Sequence, residues 1–455
     1  MENHEYSVGL DIGTTKIVVI VGKRNAHGKI EILGVGKAKS LGVHKGIVNN
    51  ISQTIQSIKA AVSEAQSSSG VPIHKVTVGI AGKHIRSLQH SDYIMREQPD
   101  QYITEDDIEK LKDQVKKLVM LPGEEIIHVL PQEYKIDSEG EIQEPIGMHG
   151  KRLEANFHVV VGQMGSIRNI ARCVKEAGLE MEALTLEPLA SSESVLTKEE
   201  KEAGVAIVDI GGGTTDIAIF KDNIIRHTCV IPYGGGIITD DIKEGCSIIE
   251  KHAEQLKVKF GSAVPELEKD TTFVTIPGLH GRPDKEISLK TLAQVVNARV
   301  EEILEMVNTE LKAYGAFEQK KKLIAGIVLT GGGSNLRHLR QLANYTTGFD
   351  SRIGFANEYV ANDKNEHLKG PEYATSIGLL MESLKIRDKK PGTEKPQQIV
   401  ETPKAETTVD TELMEAPQFR GEEIHVPKEE DKKNGRLTIG QKIMESVKKF
   451  FEEVE

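Results

Sequence analysis

The amino-acid sequence predicts an α/β fold of two facing lobes, with a small α+β insertion, a disordered linker and a C-terminal amphipathic helix. The lobes are predicted from a degenerate repeat. Asp11-Ile-Gly-Thr-Thr-Lys16 recurs as Asp209-Ile-Gly-Gly-Gly-Thr-Thr-Asp216, 198 residues on (209 − 11). Each copy splits two short β-branched runs: Val8–Ile12 and Ile17–Val21 flank the first, Val205–Ile210 and Ile217–Phe220 the second. The tail is predicted from a change of composition at Asp388, where large apolar residues become sparse and Pro391, Pro396, Pro403, Pro417 and Pro427 appear among Glu, Lys and Thr.

The elements follow in order. Asn49–Gln66 carries Ile51, Ile55, Ile58 and Val62 at helical spacing, and Lys75–Ala81 reads as a strand. Arg86–Gly162 differs in character: an acidic helix, Thr104–Leu118, opens on a capping Thr104, and short strands are expected at Glu125–Ile136 and Phe157–Val161. Glu187-Pro188 marks a strand-to-helix crossing, and Gly234-Gly235-Gly236 follows a strand. Ile327-Val-Leu-Thr-Gly331-Gly-Gly-Ser-Asn335 reads as strand, glycine turn, then a helix from Leu336. The expected organisation is 1–85 and 163–200 for the first lobe, 86–162 for the insertion and 201–360 for the second lobe. Residues 361–387 form a helix returning to the first lobe, 388–435 the linker and 436–455 the terminal helix.

Composition excludes some classes. A net charge of −11 leaves no basic footprint for nucleic acid. Cys173, Cys229 and Cys246 are scattered and lack metal or redox spacing, so they read as idle thiols in a reducing compartment. Met1–Tyr6 offers no apolar signal core, and no run of about 18 apolar residues could span a bilayer, so any membrane contact is expected to be peripheral.

The glycine turns suggest phosphate chemistry. Both repeats lead from strand to strand, unlike the strand-to-helix phosphate loops of Rossmann and Walker sites. Glycine turns let backbone N–H groups approach anionic oxygens closely. The hydroxyls of Thr14, Thr15, Thr214 and Thr215 add donors, and Lys16 can neutralise charge. Asp11 and Asp209, at strand ends facing one another, could hold Mg²⁺ through water, since that ion keeps much of its hydration shell. The third turn suits a backbone packed against a flat base or ribose. Glu254 and Lys257 lie three apart on one helix face and can reach the same hydroxyls; taken alone they are a surface ion pair.

This ordered set resembles the actin-like ATPase superfamily over about Tyr6–Leu384. Within it the chain resembles the FtsA family of bacterial cell-division proteins. The resemblance is carried by Gly9-Leu-Asp-Ile-Gly-Thr-Thr-Lys-Ile17, Val129-Leu-Pro-Gln-Glu-Tyr-Lys-Ile-Asp137, Pro145-Ile-Gly-Met-His-Gly-Lys-Arg-Leu-Glu154 and Ala253-Glu-Gln-Leu-Lys257. It implies an actin-like two-lobed fold binding ATP and Mg²⁺. Asp11 and Asp209 would organise the ion. Gly13, Thr14, Thr15, Lys16, Gly211, Gly212, Gly213, Thr214 and Thr215 would hold the phosphates. Gly235 would approach closely, and Glu254, Lys257, Gly331, Gly332, Gly333 and Ser334 would hold the nucleoside. Glu187 matches the position that orients attacking water in related ATPases, or is simply a strand-end carboxylate. The family resembled binds ATP but hydrolyses it poorly, which makes ATP a conformational and polymerisation ligand. The implied partners are FtsZ, further copies of the chain in filaments, cytoplasmic-membrane lipids and other divisome proteins at the division site. Ser262–Pro265 and the strand-like Thr271–Ile276 fall where FtsZ contact is implied, without individually matched residues.

The terminal helix is read from the residues themselves. At about 100° per residue from Ile439, the residues Phe450, Ile443, Val454, Val447, Phe451 and Met444 fall within roughly 140°, and the charged residues other than terminal Glu455 fall on the opposite side. Ile439, Ile443, Val447, Phe450 and Phe451 are the expected membrane-inserting residues. Leu437–Glu455 holds three Lys and four Glu, a net −1, so attraction to anionic lipid leans on Lys432, Lys433 and Arg436. A small-molecule (sugar) kinase of the same superfamily is the competing reading, and it has no need of such a tail.

Overall fold

The computed structural model describes residues 6–278, 283–356, 359–361 and 366–389. The linker beyond Lys389 and the terminal-helix residues Ile439, Ile443, Val447, Phe450 and Phe451 lie outside the described residues.

Each glycine repeat is a tight antiparallel hairpin at the centre of its own five-stranded sheet. In the first sheet Ser7–Ile12 pairs antiparallel with Lys16–Arg24, register Asp11 to Val18, and parallel with Lys75–Ile80. In the second, Val205–Ile210 pairs antiparallel with Thr215–Lys221, register Asp209 to Asp216, and parallel with Ile327–Thr330. All the strand residues from Ser7 to Ile12 and from Val205 to Ile210 are buried. Strands covered on both faces read as continuous apolar runs, which explains the Val- and Ile-rich sequence on each side of the turns. The helix Ile51–Ser69 covers the first sheet. Asn50 caps it by accepting from Gln53 N, and Gly70 ends it in the left-handed region.

The two lobes are joined by two crossing helices, Glu187–Val195 and Ala374–Lys389. Glycine makes the crossing possible: a Cβ on Gly378 would lie 1.8 Å from Ala190 O, and one on Gly9 would lie 2.7 Å from Leu380 N. The second helix continues past the expected end at Arg387. Asp388 Oδ2 accepts from Arg24 Nε at 3.0 Å, and this contact with the first sheet extends helix into the residues assigned to linker.

Two local expectations need correction. In the insertion Glu124–Ile136 is a strand where expected, but its partner Arg152–Gln163 runs well beyond Phe157–Val161, and a further strand, Ile85–Met95, pairs with that partner along its whole length. That strand alternates half-buried and exposed residues and is rich in Ser, Gln, His and Asp, so it shows no apolar run. The helix expected from Leu336 begins at Leu339 instead. Gly332–Asn335 forms a 3₁₀ turn, Arg337 bridges to Ser262 and His338 takes a left-handed φ of 63°.

The insertion also reaches the second lobe. Ser87 Oγ donates to Thr228 O at 3.1 Å, and His158 Nε2 lies 2.8 Å from Thr228 Oγ1. Burial first, and then the neighbouring His227, push His158 down to about 4, so it stays neutral in this contact at physiological pH. Among the described residues no helix is long and apolar enough to cross a membrane.

Candidate functional site

The two hairpins meet face to face. A Cβ on Gly212 would lie 2.4 Å from Thr15 Cγ2, and one on Gly213 would lie 2.5 Å from Thr14 Oγ1. Only glycine allows the turns this close. Behind them is a cavity of about 380 Å³, within the usual range for small-molecule sites. It brings together Asp11, Gly13, Thr14, Thr15, Lys16, Glu187, Asp209, Gly211, Gly212, Gly213, Thr214, Gly235, Glu254, Lys257, Gly331, Gly332 and Gly333.

Two expected residues stand behind that wall. Thr215 is fully buried, and its hydroxyl donates to Tyr233 O at 2.8 Å. Ser334 is buried and donates to Gly331 O at 2.7 Å. In a strand neighbouring side chains alternate faces, so Thr214 and Thr215 cannot both face the cleft. The geometry offers both as supports of the turns.

The floor is acidic. Asp11 accepts from Ser376 Oγ at 2.8 Å, and Asp209 accepts from Ser191 Oγ at 2.6 Å and Thr375 Oγ1 at 2.9 Å. Burial raises both carboxyls above their ordinary value; Lys16 opposes this at Asp11, and the two hydroxyls oppose it at Asp209. Burial, then the neighbouring Asp11, Asp216 and Asp209, raises Glu187 well above the usual carboxylate range. Lys16 is the counter-charge. Its Nζ donates to Glu372 O at 2.6 Å and lies 4.6 Å above the Tyr373 ring, and burial lowers its pKa.

The other end is held by backbone. Gly235 N donates to Gly211 O at 2.8 Å and Gly236 N to Gly212 O at 2.7 Å, which pins the start of the helix Gly235–Gly245 to the second hairpin. Lys257 Nζ donates to Gly235 O at 2.7 Å and Thr239 Oγ1 at 2.8 Å, and pairs with Glu254 Oε2 at 2.7 Å. Val258 and Leu336 supply an apolar edge beside Gly331–Gly333.

Sequence reasoning gave no role to Asp216, Lys37, Asn335, Glu372 or Thr375, all of which line the cavity. Asp216 is the most informative of them. It is buried, it accepts from Thr214 Oγ1 at 2.8 Å through Oδ2, and its Oδ1 has no partner. Burial, then Asp209, pushes its pKa up to about 8. A signal existed: residues seven apart across this hairpin face one another.

Unfolded, Asp216 releases its proton near its ordinary value of 3.8; folded, it holds it to about 8. Between those values the native state binds the extra proton, so this group's stabilisation is fully present below about 4 and is lost as pH rises through about 8. The slope is at most about 1.4 kcal/mol per pH unit for one proton. In chelator, the melting temperature is expected to fall between pH 6 and 8.5, and Asp216→Asn is expected to flatten that fall. An unchanged slope in the variant would assign the proton elsewhere.

Comparison with known proteins shows the family and the fold. The family model for "Cell division protein FtsA" matches residues 206–378, and that for the "SHS2 domain inserted in FTSA" matches 82–161. The Cell division protein FtsA of Pseudomonas aeruginosa is 41% identical over 378 residues, covering 83% of this chain and 89% of that protein. The Neisseria meningitidis protein of that name is 36% identical, covering 86% and 94%, and that of Escherichia coli K12 is 35% identical, covering 82% and 89%. Solved structures share the fold at low identity. The PilM-PilN type IV pilus biogenesis complex matches with a TM-score of 0.61 at 16% identity, covering 83% of this chain and 98% of that one. MreB5 of Spiroplasma citri bound to ADP matches at 0.51 and 15%, covering 85% and 98%. By its motifs, its inserted subdomain and its likeness to these relatives over most of their length, the chain belongs to the FtsA family of actin-like cell-division proteins.

Proposed function

We propose that this division protein binds ATP with Mg²⁺, polymerises on the cytoplasmic face of the cell membrane and tethers the FtsZ ring there. The observation that carries the nucleotide reading is the pair of glycine hairpins meeting over a buried acidic floor. Backbone N–H groups of Gly13, Gly212 and Gly213, the hydroxyls of Thr14 and Thr15, and Lys16 are suited to phosphate oxygens, while the Gly211 N–H donates to Thr214 O and the Thr214 hydroxyl to Asp216. Glu254 and Lys257 are suited to ribose hydroxyls, and Gly331–Gly333 with Leu336 and Val258 to a flat base.

The donor set fits a hydrated divalent ion. Asp11, Asp209, Asp216 and Glu187 crowd the floor opposite Lys16, burial raises all four, and a cation among them would favour their charged forms beside a polyphosphate. Asp216 Oδ1 is a buried acceptor with no partner. Among the described residues no group of three His, Cys, Asp or Glu is arranged to ligate a metal directly, so Asp11 and Asp209 would hold Mg²⁺ through water. Bound there, the ion neutralises phosphate charge. Glu187 is suited to hold a water, and burial with the neighbouring carboxyls raises its pKa.

The membrane reading rests on the amphipathic pattern of residues 436–455. One such helix binds weakly, and many on one polymer bind by avidity, which gives self-association a mechanical reason. FtsZ and other divisome proteins enter as partners through family membership. The test is co-sedimentation with anionic liposomes and ATP, comparing the full chain with one ending at Asp388. The full chain is expected to pellet and the shortened one to stay soluble. Equal behaviour of the two would remove the anchoring role.

A further inference from the structure

One feature of the cleft floor belongs to neither lobe's sheet. Thr375 and Ser376 are adjacent on the helix Ala374–Lys389, and each donates to the carboxylate of a different lobe. Ser376 Oγ donates to Asp11 Oδ2 at 2.8 Å, and Thr375 Oγ1 to Asp209 Oδ2 at 2.9 Å. Consecutive helical residues diverge by about 100°. One helix can therefore reach both carboxylates only by lying across the gap between the lobes.

The surrounding packing holds it there. Gly9 brings the first sheet against Leu380 N, and Gly378 brings the helix Glu187–Val195 against this one at Ala190 O. Ser194 Oγ donates to Ala374 O at 2.7 Å, and Ser191 Oγ lies 3.0 Å from Thr375 Oγ1 while donating to the same Asp209 Oδ2. Ser376 is fully buried, whereas Thr375 is half-buried and lines the cavity.

We propose that Thr375 and Ser376 are positioning residues for a divalent cation, fixing Asp11 and Asp209 in one relative orientation so that the ion reads both lobes through a single helix. This rests on the nucleotide and Mg²⁺ reading above. Hydrogen-bonded partners behind a metal-organising carboxylate fix its orientation, and losing one typically weakens metal affinity about 10–100-fold. A hydroxyl that serves only packing would alter binding equally with and without the ion.

The experiment is calorimetric titration of the full chain with ATP, once in Mg²⁺ and once in EDTA, for wild type, Thr375→Val, Thr375→Ser and Ser376→Ala. Thr375→Val and Ser376→Ala are expected to lose about tenfold in affinity in Mg²⁺ and to match wild type in EDTA. Thr375→Ser, which keeps the hydroxyl, is expected to behave as wild type in both. Wild-type ratios in Thr375→Val and Ser376→Ala, or equal losses in both buffers, overturn the proposal while leaving the nucleotide site standing. A wild-type chain that binds no ATP in Mg²⁺ overturns the site itself and this inference with it. Should Ser376→Ala fail to fold, the Thr375→Val and Thr375→Ser pair still decides, because Thr375 is partly exposed and Thr375→Ser removes only a methyl.

Discussion

Gly378→Ala is expected to destabilise the protein by about 2–3 kcal/mol, despite alanine being the better helix former. In an exposed helix the change would stabilise by up to about 1 kcal/mol. Here the added Cβ would sit 1.8 Å from Ala190 O and 2.3 Å from Ala190 C, both backbone atoms of the crossing helix. Backbone cannot rotate away as a side chain tip can, so the two helices must separate. Overpacking of a close contact costs roughly 1–3 kcal/mol and occasionally more. The helices carry Ser191, Thr375 and Ser376, so their separation also loosens the hydrogen bonds to Asp11 and Asp209. Thermal melts should show the loss, with weakened ATP binding alongside. Gly165→Ala is the control: that glycine lies in the helix Met164–Glu176 with nothing within 4 Å of an added Cβ. It is expected to hold or raise the melting temperature. Equal effects at the two positions would show that the helix crossing is not tight.

Gly331→Ala is expected to reduce ATP affinity by about 100-fold, equivalent to roughly 2.7 kcal/mol. Two effects combine. Gly331 has φ +81°, where a side chain is strained by about 1–2 kcal/mol. The added Cβ would also sit 2.2 Å from Asp209 Oδ1 and 2.6 Å from Ile210 O. Relief requires either the glycine turn or the Asp209 side chain to move, and each borders the cavity. Calorimetric titration with ATP in Mg²⁺ measures the effect. Affinity within threefold of wild type would mean that the turn supports the sheet without shaping the site.

The contrast between Asp209 and its neighbours shows how far local pattern reaches. Both hairpins are legible because a strand, a glycine turn and a returning strand lie within about a dozen residues, and pairing across a tight turn is a local event. The helix Ile51–Ser69 is legible for the same reason: its apolar spacing, its Asn50 cap and its Gly70 stop lie in one stretch. Recognition of Asp11, Lys16, Asp209, Glu254 and Lys257 as one site came from motif order. The strand Ile85–Met95 was not legible, because its half-exposed alternation carries polar residues on the open face.

By itself the sequence determined the two-lobed α/β class, the glycine turns and the family, since each depends on short-range periodicity or on ordered motifs. Only the tertiary structure decided which hydroxyls serve the floor. Ser376 and Asp11 are 365 residues apart, and no local pattern specifies that bond. It likewise decided that Asp216 has a buried oxygen without a partner, that Thr215 and Ser334 face away from the cavity, and that the insertion touches the second lobe through Thr228. Burial sets the pKa values of the floor, and burial is a property of packed neighbours from both halves of the chain.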